Sequence, residues 1–302
     1  MAVGTRGAHA ARDAVEAGIA SAAPRGVAVP SASPIAIRTA ASRRATVVLW
    51  GLSALLLLFL AIPVGALLVR ALESGEGWDA RAFEVLRQAL GLSLATTALA
   101  MVFVIALGTP LAFLLARSRF PGAPVVEALV DLPIVLPPTV LGFYILIAVG
   151  PMSPFGRTYE AVVGRPLAFS FQGLLLASVL YSLPFAVRPF MAAFAAVDRR
   201  LIEASWCLGV SRLRTFLRIA FPLSWAGILT GVILSFAHTL GEFGVVLMVG
   251  GNIPGVTRTV SISIYDEVQA VNYSQAATTS LVLLASSFLA LSVTHLVNRK
   301  AL

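Results

Sequence analysis

The sequence predicts an all-α transmembrane protein with about six membrane-spanning helices. Two features of the composition lead to this fold class: of 302 residues, 58% are hydrophobic and only 12% are charged. A soluble domain of this length could not bury so much apolar side chain. Several uncharged stretches also reach the roughly 20 helical residues needed to cross about 30 Å of hydrocarbon. The bilayer is therefore the solvent that explains the composition.

Six apolar stretches are predicted to span the membrane within one transmembrane domain, residues 45–302. They cover residues 47–69, 89–115, 125–149, 171–195, 222–249 and 276–297. The third stretch carries Asp131 and three prolines, Pro133, Pro137 and Pro138, near its cytoplasmic side. Proline removes a helical hydrogen bond, so this helix is predicted to be broken or to begin late.

The basic residues are distributed unequally among the connecting segments. With the N-terminus in the cytoplasm, sixteen of the 22 Lys and Arg residues lie on the cytoplasmic side and six outside. The positive-inside preference therefore predicts that both termini are cytoplasmic. Arg188, in the fourth stretch, is expected to extend its guanidinium group to the cytoplasmic surface.

Residues 1–44 have a different character from the rest of the chain. They are rich in Ala, Arg, Ser, Gly and Pro and lack the long apolar run of a signal peptide. We expect a disordered cytoplasmic tail, or an extension that results from a start codon assigned too early.

Several function classes are disfavoured by composition. The net charge of +8 comes almost entirely from arginines between apolar stretches, so membrane topology explains it and no nucleic-acid partner is expected. Cys207 is the only cysteine, and the three histidines are scattered, so no metal site is predicted. Lys300 is the only lysine, whereas a P-loop needs a lysine after its glycine-rich turn. Any ATP is therefore expected to bind a partner subunit, and no cofactor or catalytic residue is predicted.

The cytoplasmic loop between the fourth and fifth stretches, residues 198–220, has the pattern of two short helices. Asp198 is suited to cap the first helix, Gly209 to form the turn, and Ser211 to cap the second helix. The spacing predicts one apolar face made of Leu201, Ile202, Ser205, Trp206 and Leu208. Such a face needs a cover, which is either a groove in a partner protein or the lipid headgroups.

The same loop resembles the "EAA" loop of binding-protein-dependent ABC permeases. The resemblance lies in Glu203-Ala204-Ser205, in Gly209 four residues after the serine, and in Pro222 thirteen residues after the glycine. It implies a type I ABC importer permease fold and a coupling helix that docks on an ATPase subunit through Glu203, Ala204 and Gly209. Ser205 departs from the alanine that is usual in this motif.

Two further stretches resemble the molybdate branch of these permeases, whose nearest relatives transport sulfate or thiosulfate. They are Asp131-Leu-Pro-Ile-Val-Leu-Pro-Pro-Thr-Val-Leu-Gly142 and Leu240–Gly255, which contains Gly241-Glu-Phe-Gly244 and Gly251-Asn-Ile-Pro-Gly255. The resemblance implies a permease of the bacterial inner membrane that imports molybdate, with sulfate, thiosulfate or tungstate as alternative cargo. It also implies an ABC ATPase, a periplasmic molybdate-binding protein and a second copy of the chain as partners.

The glycine-rich part of the fifth stretch is a candidate lining of the transport pathway. Glycines should loosen its outer half and Pro254 should stop it, and irregular backbone at membrane depth needs protein or water around it. Close helix packing is the alternative role of the glycines. The pathway or gate candidates are Gly241, Glu242, Gly244, Asn252, Pro254 and Arg258.

The ionisable residues of this region have more than one possible role. His238 and Glu242 lie four residues apart and could pair. A carboxylate repels an oxyanion, so Glu242 is favoured as a structural residue that accepts hydrogen bonds from the backbone or pairs with an arginine. Arg258 with Thr257, Thr259, Ser261 and Ser263 could donate to an oxyanion, or could belong to a solvated external loop.

Two other classes of protein are alternatives to a permease subunit. A self-contained secondary transporter should show internal repeats and charged residues in corresponding halves, and neither is visible in the sequence. A membrane-embedded enzyme would need a catalytic constellation, for which His238 and Glu242 are the only faint candidates.

Overall fold

The computed structural model describes residues 40–73, 80–118 and 120–301. Of the predicted tail, residues 1–39 lie outside the described residues, so the tail stays a prediction. The chain divides into two compact units, Met1–Leu60 and Ala61–Leu302. The first helix begins at Ala40, a few residues before the first predicted span.

The described residues form helices throughout, in agreement with the predicted fold class. In chain order they are α1 (Ala40–Glu73), α2 (Ala80–Arg117), α3 (Ala123–Val135), α4 (Pro138–Val149), α5 (Pro154–Val163), α6 (Phe171–Ala196), α7 (Arg199–Cys207), α8 (Arg212–Thr215), α9 (Phe221–Leu223), α10 (Trp225–Leu240), α11 (Gly244–Gly250), α12 (Val260–Gln269) and α13 (Tyr273–Ala301). A π-helical turn, Phe216–Ala220, joins α8 to α9.

Three helices in the described residues, α1, α2 and α6, are long and apolar enough to cross a membrane. Two bent pairs bring this number to five if each pair is one span: α3 with α4, bent by 118°, and the segment Arg212–Leu223 with α10, bent by 72°. The sixth predicted span, 276–297, lies within α13 and stays a prediction.

Both breaks predicted in the spans are present. The third span is interrupted between Val135 and Pro138, where α3 ends and α4 begins. The fifth span is interrupted between Leu240 and Gly244, and α11 then ends at Gly250, before Pro254.

The core of the second unit is built around α6. One cluster of buried side chains joins α6 to α2 and α10, with Phe190 and Phe194 fully buried at its centre. The helices approach closely at Gly231, where an added Cβ would lie 2.7 Å from the Phe190 ring. A second cluster joins α4 and α11 to α6, and contains Ile145 and Val245. These two clusters position the loop of residues 198–220 at one end of α6, and they place the broken fifth span against the side of α6.

Candidate functional site

The loop between α6 and α10 forms the predicted pair of short helices, α7 and α8. The Asp198 carboxylate accepts a hydrogen bond from the Arg200 backbone N–H at 2.9 Å and caps α7. Ser211 caps α8 by accepting from the Arg214 N–H at 3.4 Å. Gly209 has a φ of +76°, in the left-handed region that favours glycine. The predicted caps and turn are therefore confirmed.

Hydrogen bonds within the loop hold α7 against α8. The Ser205 and Thr215 hydroxyl oxygens lie 2.7 Å apart, and both residues are buried. The Val210 N–H donates to the Ser205 carbonyl at 3.0 Å. The serine that departs from the family motif thus uses its hydroxyl to fix the angle between the two helices.

The predicted single apolar face of the loop is divided in the structure. Ile202 and Ser205 point inward, and Ile202 packs with Val197 and Ala220. The other three side chains remain exposed: Leu201 by 48%, Trp206 by 46% and Leu208 by 83%. Because none of the described residues covers these apolar groups, they are available for another surface.

A cavity of about 560 Å³ lies between this loop and the end of α2. Three arginines line it, Arg117, Arg199 and Arg212. Arg117 donates to the last carbonyls of α6 at Phe194 and Val197, so it fixes the start of the loop. The rim of the loop is therefore basic.

The residues proposed for ATPase coupling all lie on this loop or at its exit. Glu203 is exposed and pairs with Arg199 at 2.8 Å, and Ala204 is exposed beside it. Pro222 lies in α9, where the chain bends by 72° into α10.

The break in the fifth span is organised by Glu242. Its carboxylate is only 7% exposed and accepts a hydrogen bond from the Val245 N–H at 2.9 Å. The expected bonding to the glycine-rich backbone is therefore present. The alternative of a pair with His238 is not formed: the His238 ring packs on Tyr181, with ring centroids 4.8 Å apart, and on Phe185, at 3.7 Å.

The glycines of this break do not all have one role. An added Cβ on Gly244 would lie 2.8 Å from the Pro138 Cβ, so the start of α11 packs directly on the start of α4. Gly250 is close to Leu174 and Thr257 in a similar way. Gly241 is exposed and has no such close neighbour. Close packing thus accounts for Gly244 and Gly250, and Gly241 is left available for a pathway surface.

Arg258 is engaged within the chain. Its Nε donates to the Asn252 side-chain oxygen at 2.6 Å, and its Nη2 lies 3.4 Å from Asp266. The Asn252 amide donates to both Asp266 oxygens, at 2.8 and 2.7 Å. This network connects the loop after α11 to α12, and Pro254 lies exposed in the loop.

Two of the hydroxyl groups near Arg258 also have structural partners, whereas the buried Ser261 hydroxyl has none among the described residues. Thr257 accepts from the Ile253 N–H at 3.1 Å, and Thr259 caps α12 through the Ile262 N–H at 3.4 Å. The group of donors imagined around Arg258 is therefore used mainly to shape its own loop.

Sequence reasoning missed an ion cluster between α3 and α6. Arg188 donates through Nε to Asp131 at 2.7 Å, through Nη2 to the other Asp131 oxygen, and through Nη1 to Glu127 at 3.1 Å. The sequence expectation for Arg188 did not include this pairing, and its reach to the cytoplasmic surface stays a prediction. Asp131 and Arg188 both stood out in the sequence as ionisable residues within spans, but only the packing of α3 on α6 pairs them.

Fold and site together define a class of protein: a multi-pass membrane subunit with a compact two-helix loop, residues 198–220, between two spans. The chain belongs to the family described as the inner membrane component of binding-protein-dependent transport systems, whose model matches residues 108–302. It is therefore a multi-pass permease subunit of the inner membrane.

Curated relatives include both branches that the sequence motifs resemble. The molybdenum transport system permease protein ModB of Azotobacter vinelandii is 47% identical over 188 residues, which are 62% of this chain and 83% of the relative. ModB of Escherichia coli K12 is 39% identical over 182 residues, 60% of this chain and 80% of the relative. The sulfate transport system permease protein CysT of Synechocystis is 32% identical over 246 residues, 81% of this chain and 86% of the relative.

Solved structures support the fold. A chain of a bacterial ABC transporter that imports alginate matches with a TM-score of 0.65 at 15% identity, covering 86% of this chain and 96% of that chain. A chain of the MetNI methionine ABC transporter, in an inward-facing conformation, matches with a TM-score of 0.60 at 19% identity, covering 74% and 100%. The predicted ABC importer permease fold is thus confirmed.

Proposed function

We propose that this chain is the membrane-spanning permease subunit of an ATP-driven molybdate importer. The observation that carries the proposal is the docking loop, whose capped helices leave Leu201, Trp206 and Leu208 uncovered beside the exposed Glu203. Membership of a binding-protein-dependent family favours a protein partner over lipid headgroups as the cover for this loop.

The partner proposed for the loop is a separate ABC ATPase subunit. Glu203, Ala204, Ser205 and Gly209 form the docking core, and Pro222 transmits its position into α10. ATP binds that partner, because Lys300, the only lysine of this chain, follows no glycine-rich phosphate loop. Coupling then consists of moving α7 and α8 as one unit, since the Ser205–Thr215 bond joins them.

Two further partners complete the proposed transporter. A periplasmic molybdate-binding protein selects the anion, and a second copy of this chain forms the other wall of the pathway. Gly241, Asn252, Pro254 and Arg258 are proposed to face or shape that pathway, and Glu242 and Gly244 to hold the broken helix beside it. Both termini are proposed to be cytoplasmic.

The cargo is proposed from the relatives and from the chemistry of tetrahedral dianions. Molybdate and tungstate have nearly the same size, so backbone and hydroxyl donors should accept both. Sulfate is smaller and would leave some donors without a partner, which is costly for buried groups. Sulfate or thiosulfate is the alternative cargo, and the 32% identity to CysT is the observation that favours it.

Growth of a strain that lacks this chain tests the cargo. We expect molybdoenzyme activity to be lost at nanomolar molybdate and restored at millimolar molybdate, with sulfur assimilation unchanged. A strain that needs extra sulfur, but keeps molybdoenzyme activity at trace molybdate, would transfer the assignment to sulfate. Stimulation of ATP hydrolysis by loaded binding protein, measured on the purified complex, separates an ABC permease from a self-contained transporter.

Labelling of single cysteines tests the orientation. In a Cys207→Ser background, Ser153→Cys precedes α5 on the proposed outer side, and Ser211→Cys lies in the docking loop. An impermeant thiol reagent added to intact cells should label the cysteine at position 153 and not the one at 211. Labelling at 211 alone would reverse the topology.

A further inference from the structure

A small polar cavity lies inside the helix bundle, beside the break in the fifth span. Its volume is about 10 Å³, which is close to the space needed for one water-sized species. Residues from α2, α6, α10, the break, α11 and the α12 cap line it: Ser93, Thr96, Thr97, Ser178, Thr239, Leu240, Glu242, Val246 and Thr259. Oxygen atoms thus surround this space from four directions.

The cavity contains a carboxylate without a cationic partner. Glu242 is 7% exposed and forms no ion pair with any Arg or His side chain among the described residues. Burying an uncompensated charge costs several kcal/mol. Tyr181, beside it, offers a hydroxyl and the start of α11 offers backbone N–H groups. Within the described residues the carboxylate therefore has hydrogen-bond donors but no compensating positive charge, which a bound cation would supply.

The hydroxyl groups around the cavity present lone pairs to it. Ser178 donates its proton to the Leu174 carbonyl at 2.9 Å, and Thr239 donates to the Ser235 carbonyl at 2.7 Å. With these protons committed, the two oxygens can act only as acceptors. The Ser182 hydroxyl occupies one lone pair of Thr239, which leaves its other lone pair for the cavity. Thr96 is 3% exposed, and its hydroxyl has no hydrogen-bond partner within the described part of the chain.

The backbone of α10 makes the electrostatic potential in the cavity more negative. Helix α10 ends at Leu240, so the negative end of its dipole and its last carbonyls point to the break. Broken membrane helices bind sodium ions in this way, through the C-terminal ends of half-helices. A single carboxylate among neutral oxygens balances one positive charge, and the small volume favours a small ion.

We propose that Glu242, Thr96, Ser178 and Thr239 form a binding site for one monovalent cation of the size of sodium. The ion neutralises Glu242 and ties α2, α6 and α10 together at the break. The sequence predicted no metal site because its single cysteine and its three scattered histidines do not have the spacing of a metal-binding motif. A site made of hydroxyl groups has no such spacing, since its members come from separate helices.

Thermal unfolding of the full-length chain, purified in detergent with its co-purifying subunits, tests this site. We expect a higher melting temperature in sodium chloride than in choline chloride at equal ionic strength, with saturation as sodium increases. Glu242→Gln should abolish the difference. Thr96→Val should raise the sodium concentration for half-maximal stabilisation about tenfold or more, as loss of one oxygen ligand implies.

A matched control is available on the same helix. Thr109 is also buried in α2 with an unpartnered hydroxyl, but it lies outside the cavity. Thr109→Val should therefore keep the sodium dependence of the wild type. Binding of radioactive sodium to the wild-type protein gives a second readout that does not need the Glu242 variant to fold.

Three outcomes would overturn the proposal. Equal melting temperatures in sodium and choline chloride would exclude a specific cation, and so would an unchanged sodium effect in Glu242→Gln. Stability that follows pH and not the cation would identify the compensating charge as a proton. None of these measurements involves cargo or ATP, so their failure leaves the proposed transport function untouched.

Discussion

The docking loop and the broken fifth span are both irregular segments, but different forces hold them in shape. In the loop, residues close in sequence supply the structure: Asp198 and Ser211 cap the helices, and Gly209 turns the chain. In the broken span, distant residues supply it, as where Gly244 packs on Pro138 more than one hundred residues earlier. The comparison suggests that the loop can move as a unit on the bundle, whereas the break is part of the bundle.

The loop and the break both contain groups that no other part of the described chain satisfies, and the chemistry of these groups differs. The loop exposes apolar side chains and a basic rim, which suit a protein groove. The break contains a buried carboxylate among oxygens, which suits a small cation or a proton. Substitutions in the break should therefore affect folding stability, and those in the loop should affect coupling.

Gly244→Val should have the largest effect. Its Cβ would lie 2.8 Å from the Pro138 Cβ and 3.3 Å from the Thr139 backbone nitrogen, and neither can easily shift. Overpacking of this kind costs about 3 kcal/mol. Thermal unfolding of the purified protein measures the loss. Gly241→Val is the control, because no atom lies nearer than 3.8 Å to its Cβ; equal losses for both variants would show that α4 and α11 do not pack as described.

Arg188→Gln should cause the second-largest loss of stability, since it leaves Asp131 and Glu127 without their cation. Removing one partner from a buried pair costs about 3–5 kcal/mol, and the partial exposure of this cluster lowers our expectation to about 2 kcal/mol. Adding Asp131→Asn should recover part of the loss. Arg87→Gln, which breaks an exposed pair with Glu84, should leave the melting temperature unchanged. Additive effects of the Arg188 and Asp131 substitutions would contradict the pairing.

The two regions also differ in what could be predicted from sequence. The caps and the turn of the loop follow from Asp198, Ser211 and Gly209, because these residue types act on their own neighbours. The breaks at Pro137 and Gly241 follow from local chemistry in the same way. The partners of Arg188 and Arg258, and the cavity beside Thr96, could not be predicted, because helix packing decides which side chains meet.

The end of α10 explains why His238 and Glu242 do not pair. A spacing of four residues places two side chains on one face only while the helix continues, and α10 ends at Leu240, before Glu242. The irregular backbone turns Glu242 toward the Val245 N–H, and His238 packs on the aromatic rings of α6. The glycine-rich segment Gly241-Glu-Phe-Gly244 thus creates the break that separates His238 from Glu242.

Gly209→Val should have a smaller effect on stability and abolish transport. Valine at a φ of +76° costs roughly 1–2 kcal/mol, so the turn between α7 and α8 would open. We expect the chain to insert in the membrane and the partner ATPase to remain active alone, while uptake of molybdate is lost. Gly209→Asn should keep most of the uptake, because asparagine tolerates this conformation. Wild-type uptake by the valine variant would exclude the coupling role of the turn.

Glu203→Gln should have the smallest effect on stability and still reduce coupling. Glu203 is exposed, and its pair with Arg199, four residues away on α7, contributes about 0.3–0.5 kcal/mol at most. The melting temperature should therefore stay close to that of the wild type. If the carboxylate contacts the ATPase, its removal should lower the ATP hydrolysis that loaded binding protein stimulates, with less effect than Gly209→Val because the shape of the loop is kept. Arg199→Gln breaks the same ion pair and is the control for a role within the chain. Equal losses of stimulated hydrolysis in the two variants would mean that Glu203 acts by holding Arg199; a loss confined to Glu203→Gln would place its carboxylate at the partner surface.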